Sequence, residues 1–305
     1  MEETLANKYR PKTFDDCIGQ EVNRKILMKQ IENKSYSHSI LFAGAAGSGK
    51  TTSGRIFAHM IDGEVFEYDC ASTNGVEAIR QITEGARIKS LIHEYKIFLM
   101  DEVHLLTAQA WAAFLITLEE NLPHSIFILC TTDTQKIPDT IMSRVQRYNF
   151  SPLTRPLILQ RLKYVCEQEK IDISEEALNC IAKTAKGNMR QALTNLDKCI
   201  LYEDLSLDGV QKVLNVVSDN VFKELYEAIY NDGNTPDANH VIHIINKLYL
   251  EGYELHFAMR QFLDYLLAIK GDLKVVDTTL TVIQDIRYDT SPRTLIIARF
   301  ITMQR

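Results

Sequence analysis

The sequence predicts an α/β core, a parallel sheet with flanking helices, followed by three further helices and an all-α C-terminal segment. Three observations predict it. Short apolar runs alternate with helix-length amphipathic stretches through the first ~150 residues, the pattern of crossover-connected parallel strands. One run feeds a Gly-rich turn, Gly44-Ala45-Ala46-Gly47-Ser48-Gly49-Lys50-Thr51, that opens directly into a helix. Beyond Pro152 the strand-like runs stop and helical periodicity takes over.

The elements follow in order. Val22 to Glu32 reads as a helix. Ser39 to Ala43 is apolar after its serine, as expected of a strand covered on both faces. Thr51 to Met60 is the helix leading out of the Gly-rich turn. Val65 to Asp69 is a short strand and Val76 to Ser90 a helix. Lys96 to Met100 is a buried strand running into Asp101, and Ala108 to Glu120 a helix. Ser125 to Cys130 is another buried strand, apolar after its serine and ending at Thr131-Thr132. Tyr148-Asn149-Phe150 is the last strand before Pro152. Pro156 to Glu169, Ser174 to Ala185 and Met189 to Leu201 are the three helices. Ser174 is an N-cap with Glu175 and Glu176 in the first turn, and Gly187 suits a helix C-terminal cap. From Asp219 apolar residues recur at helical spacing: Val221, Phe222, Leu225 and Ile229, then Val241, Ile242, Ile245, Leu248 and Tyr249. Leu255 to Ile269 and Thr279 to Ile286 continue the pattern. The expected segments are 1–152, 153–217 and 218–305.

Composition narrows the class. At 305 residues, 46% hydrophobic and 24% charged, the chain is an ordinary globular one with room for two or three domains. No apolar run nears the ~20 residues that span a bilayer. The acidic start Met1-Glu2-Glu3-Thr4 lacks the apolar stretch of a secretory signal, so the expected compartment is the cytoplasm. Six scattered cysteines contain no C-x-x-C pair and read as free thiols. His240 and His243 share a helix face without a second ligand pair and read as surface histidines. The net charge of −6 does not suggest a nucleic-acid binder, although residues 1–60 carry a small basic excess.

The turn from Gly44 to Thr51 fits G-x-x-x-x-G-K-[ST], a phosphate-binding loop. Its glycines let successive N–H groups face one anion, and the helix N-terminus behind it favours negative charge. Ala46, Gly47, Ser48, Gly49, Lys50, Thr51 and Thr52 are therefore expected to hold phosphates. Lys50 would reach the β- and γ-phosphates, and the Thr51 hydroxyl would ligate Mg²⁺. About 50 residues on, Ile97-Phe98-Leu99-Met100 ends in Asp101-Glu102. In such ATPases the first acid sits on the metal side, here through water, and the second orients and deprotonates the attacking water. Asp101 and Glu102 take those roles.

With these stand Tyr9-Arg10-Pro11-Lys12-Thr13-Phe14, Ile18-Gly19-Gln20, Asp101-Glu102-Val103-His104 and Thr131-Thr132-Asp133. Together they resemble a AAA+ sliding-clamp loader ATPase, closest to the bacterial DNA polymerase III gamma/tau subunit and its phage counterparts, over the first ~200 residues. The resemblance implies a AAA+ core, a three-helix lid and a helical collar. It places Ala6, Asn7, Lys8, Tyr9 and Ile18 around adenine. Thr132 becomes the sensor-1 residue, where many relatives carry Asn. Arg144, in Ser143-Arg144, becomes a finger reaching the neighbouring subunit's ATP, with Val145 in place of the usual Cys. Arg190, in Gly187-Asn188-Met189-Arg190, becomes the sensor-2 arginine. Only Asp62-Gly63-Glu64 stands where gamma/tau subunits insert their Cys-rich segment, so no zinc is expected.

The resemblance further implies ATP and Mg²⁺ as ligands. Its partners are other loader subunits in a five-membered hetero-oligomeric ring, a sliding clamp and primer-template DNA, within a bacterial cell or phage-infected host. Arg80, Arg87, Lys89 and the helix start Thr107-Ala108-Gln109 are candidate DNA contacts, although each taken singly reads better as a solvated helix face. Leu105-Leu106 and the helix Val76 to Gly85 are candidate clamp contacts. Trp111 reads as packing. Two other readings share the nucleotide residues: a different AAA+ DNA remodeller, such as a branch-migration ATPase or helicase loader, and a nucleotide-binding structural subunit that does not hydrolyse.

Overall fold

The computed structural model describes residues 3–120, 122–230, 235–287 and 291–303. Met1 and Glu2, at the head of the acidic start, lie outside them. In chain order the elements begin with α1 Leu5–Lys8, α2 Glu21–Glu32, β1 Ser39–Gly44, α3 Lys50–Met60 and β2 Gly63–Asp69. There follow α4 Val76–Arg87, β3 Tyr95–Asp101, a 3₁₀ turn Val103–Leu105, α5 Ala108–Glu119, β4 Ser125–Thr131, α6 Asp139–Met142 and β5 Gln146–Phe150. The helices α7 Arg155–Glu169, α8 Glu175–Thr184, α9 Met189–Leu201 and α10 Leu207–Leu214 come next. The chain closes with α11 Asp219–Tyr230, α12 Ala238–Leu250, α13 Leu255–Ile269, α14 Leu273–Asp285 and α15 Pro292–Ile301.

The strands form one parallel sheet in the order β2-β3-β4-β1-β5. Burial explains the composition: β4 is buried along its whole length and β1 up to its final glycine, so neither shows alternation. One face packs Ile79, Ile82, Trp111 and Phe114 from α4 and α5 against Phe98 and Phe127. The other packs Leu27, Ile56 and Phe57 from α2 and α3 against Ile40, Phe42 and Ile128. Gly54 is tight against the sheet, since a Cβ there would meet Leu99 Cδ1 at 2.8 Å.

The chain divides into two compact units, Met1–Ile171 with Ala185–Asp197, and Asp172–Thr184 with Lys198–Arg305. The first holds the sheet, its helices and α7. The second holds α8 and α10 to α15; α9 has residues in both. Within the second unit, Phe222, Met259, Phe262, Val282 and Phe300 centre an all-helical core. Ser174 caps α8 by accepting from the Ala177 N–H at 3.2 Å.

Most expected boundaries hold within a residue or two. Two differ for local reasons. The helix expected to reach Ser90 ends at Arg87, where Ile88 turns extended. The helix expected from Thr279 starts at Leu273, because Asp272 accepts from the Lys274 and Val275 N–H groups and caps it early. Short α1, α6 and the 3₁₀ turn are too brief to leave a periodicity.

Candidate active site

The loop between β1 and α3 turns on glycine geometry. Gly47 has φ +68° and Gly49 φ +100°, both in the left-handed region that side chains disfavour. Gly47 also lies against Asn188, whose Oδ1 a Cβ would meet at 1.8 Å. Lys50 follows in the first turn of α3 and is buried. Its Nζ donates to the Gly44 carbonyl at 2.9 Å and the Ala45 carbonyl at 3.0 Å. Among the described residues no carboxylate lies within ion-pairing distance of it. A buried ammonium satisfied only by carbonyls, at a helix N-terminus, leaves a positive field for an anion.

The carboxyl ends of β3 and β4 supply the opposite charge. Thr51 Oγ1 donates to Asp101 Oδ2 at 2.7 Å, joining α3 to β3. Glu102 follows Asp101 with φ +49° and ψ +42°, an unusual conformation for a non-glycine. Thr132 Oγ1, just past β4, donates to Glu102 Oε2 at 3.1 Å. Burial pushes the Cys130 thiol well up, with the Asp101 charge adding to it. Burial likewise pushes the Cys70 thiol up to about 12, reinforced by Asp69, Asp101 and Glu102. Both thiols stay protonated, and the carboxylate field that helps raise them is one a divalent cation would neutralise. Thr51 and Asp101 are hard oxygen donors that suit Mg²⁺.

A cavity of about 250 Å³ opens beside the loop. Of the sequence-expected residues, Ala6, Tyr9, Ile18, Gly47, Ser48, Gly49, Lys50, Thr51, Thr52, Asp101 and Arg190 line it. Asn7 and Lys8 do not. The Asn7 side chain accepts from Arg10 Nη2 at 3.2 Å, and Lys8 pairs with Glu169 at 2.7 Å. Ala46 is exposed on the loop and lies off the lining. Tyr9 is tied by its hydroxyl to Glu169, and burial, then that bond, pushes its phenol up to about 12. Arg161 donates to the Tyr9 carbonyl at 3.1 Å. Arg144 lies elsewhere, exposed on the turn after α6, where it donates to the Thr140 carbonyl at 2.8 Å and Glu119 Oε1 at 2.6 Å.

Sequence reading missed Pro11, Cys17, Arg24, Arg161, Met189 and Leu193 on the cavity wall. Pro11 falls in the quoted Tyr9-Arg10-Pro11 tract and Met189 in Gly187-Asn188-Met189-Arg190, but Cys17, Arg24, Arg161 and Leu193 carry no motif that marks them. Of the candidate DNA contacts, Arg80 pairs with Glu77 at 3.4 Å and Arg87 with Glu120 through Nε at 2.9 Å. Thr107 accepts from the Ala110 N–H at 3.2 Å as an N-cap, and Trp111 is buried.

Comparison with known proteins supplies the family. A model described as DNA polymerase III, delta subunit matches residues 62–154, and one described as RCF1/5-like AAA+ ATPase lid domain matches residues 160–201. The DNA polymerase III subunit tau of Bacillus subtilis (strain 168) is 34% identical over 82% of this chain and 48% of its own length. The gamma/tau subunit of Mycoplasma genitalium is 30% identical over 95% of this chain and 53% of its own. The chain thus spans about half the length of these curated relatives. The replication factor C small subunit of Staphylothermus marinus is 33% identical over 76% of this chain and 72% of its own. Among solved structures, the Thermotoga maritima RuvB Holliday junction branch migration motor shares the fold, with TM-score 0.58 and 20% identity over 86% of this chain and 91% of that one. The glycine loop, the paired acids and these relatives together show that the chain belongs to the clamp-loader family of AAA+ ATPases.

Proposed function

We propose that this chain is the ATP-hydrolysing subunit of a DNA sliding-clamp loader. The observation that carries the reading is the meeting of Thr51 and Asp101 beside Lys50, with Glu102 next on the same strand end. Loop N–H groups and Lys50 hold the ATP phosphates. Ala6, Tyr9 and Ile18 form the base side of the cavity, together with Pro11, Met189 and Leu193. Arg190 approaches from the start of α9. Mg²⁺ held on the side of Thr51 and Asp101 would neutralise phosphate charge.

Glu102 then accepts a proton from water as the water oxygen bonds to the γ-phosphorus and the bond to the ADP oxygen breaks. The carboxylate is half-buried and held on one oxygen by Thr132. Arg144 reaches the ATP of an adjacent subunit and stabilises the charge that develops there. Its exposure and its single exposed acid partner support a residue free to re-pair in an assembly. ATP binding favours the assembled, clamp-opening state, primer-template DNA completes the trans sites, and hydrolysis removes that bias. The division 1–152, 153–217 and 218–305 into core, lid and collar goes with this reading.

The loop leaving α4 exposes Ile88, Leu91 and Ile92, with Leu91 fully solvent-facing. This adjoining segment is a better clamp-contact candidate than Leu105-Leu106, because Leu106 is buried in the core.

Turnover of two variants tests the proposal. Glu102→Gln should bind ATP and hardly hydrolyse it, while Lys50→Ala should fail at binding. Normal turnover in the first or normal affinity in the second would overturn the assignment.

A further inference from the structure

We infer that His104 is a positioning residue that fixes Glu102 by one carboxylate oxygen. The inference rests on the reading of Glu102 as the base.

The proton on the imidazole can be placed from its neighbours. Thr131 Oγ1 has a single proton, and it donates that proton to the Asp133 carbonyl at 3.0 Å. The same oxygen accepts from the Asp133 N–H at 3.0 Å. His104 Nδ1 lies 3.3 Å from Thr131 Oγ1, so in this contact the hydroxyl oxygen can only accept. Nδ1 therefore carries the hydrogen. Glu102 Oε2 lies 3.2 Å from that same nitrogen. The N–H is directed at the Thr131 hydroxyl oxygen, and the Glu102 carboxylate oxygen sits beside the same nitrogen as a close electrostatic neighbour.

Three features make this a restraint rather than a chance contact. The ring is nearly buried, its side chain only 12% exposed, on the 3₁₀ turn Val103–Leu105 that Val103 and Leu106 anchor in the core. Thr132 Oγ1 converges on the same oxygen, Oε2, from the other strand end. Oε1 has no hydrogen-bond partner among the described residues. A carboxylate bonded at Oε2 by Thr132 and flanked there by the imidazole edge swings about that oxygen, which leaves Oε1 to meet a water. The left-handed backbone at Glu102 aims the side chain toward this contact.

The test is steady-state ATPase kinetics of the full chain in its most active assembly, with ATP affinity measured separately. His104→Ala should lower kcat about 10- to 30-fold, a share of what a positioned base contributes, with KM and ATP affinity within twofold. His104→Asn, whose amide N–H can replace the Nδ1 donor, should recover most of the loss. In a Glu102→Gln background, His104→Ala should change residual turnover less than twofold, because the group it positions is gone. Unchanged kcat in His104→Ala would overturn the proposal. So would an Asn variant no better than Ala while ATP affinity stays intact, or full additivity with Glu102→Gln. Wild-type turnover in Glu102→Gln alone would instead overturn the base assignment beneath it.

Discussion

The Thr51 hydroxyl meets Asp101 Oδ2 at 2.7 Å, tying the first turn of α3 to the carboxyl end of β3 across 50 residues of sequence. The two metal-side oxygens are thereby pre-arranged by the fold. Thr51→Ala should raise the Mg²⁺ concentration for half-maximal turnover about 10- to 100-fold, with little change in melting temperature. A titration of ATPase rate against Mg²⁺ checks it, and an unmoved midpoint would contradict the role.

Gly47 is required twice over, by its positive φ and by Asn188 at its face. Gly47→Ala should lower ATP affinity at least about tenfold, since neither loop nor Asn188 can stay in place. Adding Asn188→Ala removes the steric half of the problem but not the backbone half. The double variant should recover part of the affinity in a binding titration. Strictly additive losses would contradict the packing account.

The loop, Asp101 and Glu102 were legible in sequence because their chemistry depends on local spacing at strand ends. The parallel sheet was legible because double-sided burial leaves continuous apolar runs at Ser39–Gly44 and Ser125–Thr131. The cavity's far wall was not. Arg161 and Leu193 reach it from helices far along the chain, and nothing local distinguishes them from other helix residues. Asn7 and Lys8 fell off the wall for the opposite reason. α1 is a single turn, so adjacent residues on it face different ways, and Lys8 is drawn to Glu169.

Cys17 offers a chemical probe of that wall. It is half-buried, lines the cavity, and its thiol is pushed up to about 11 by burial. A raised thiol pKa means less thiolate at neutral pH, so its alkylation should be slow at pH 8 and rise about tenfold per pH unit up to pH 10. ATP should protect it. Mass spectrometry of the labelled native chain checks both. A plateau by pH 9, or no protection, would contradict the burial or the cavity assignment.

Leu91→Asp with Ile92→Asp should leave basal turnover and melting temperature unchanged, since both side chains are exposed. Stimulation that depends on the clamp should fall severalfold, as expected when a contact patch gains charge. Full stimulation in the double variant would remove this loop as the clamp contact.

Arg144→Ala should keep ATP affinity and cost at most about 1 kcal/mol of stability, the range for its exposed pair with Glu119. Turnover stimulated by assembly and DNA should fall by orders of magnitude, as expected for a finger supplied in trans. Surviving stimulation would contradict that role.

The central claim is tested most directly by ATPase activity of the chain with its loader partners, measured with clamp and primed DNA separately and together. Low basal turnover that rises severalfold only when both are present is the predicted result. Stimulation by branched or plain duplex DNA without a clamp, or no turnover under any condition, would contradict it.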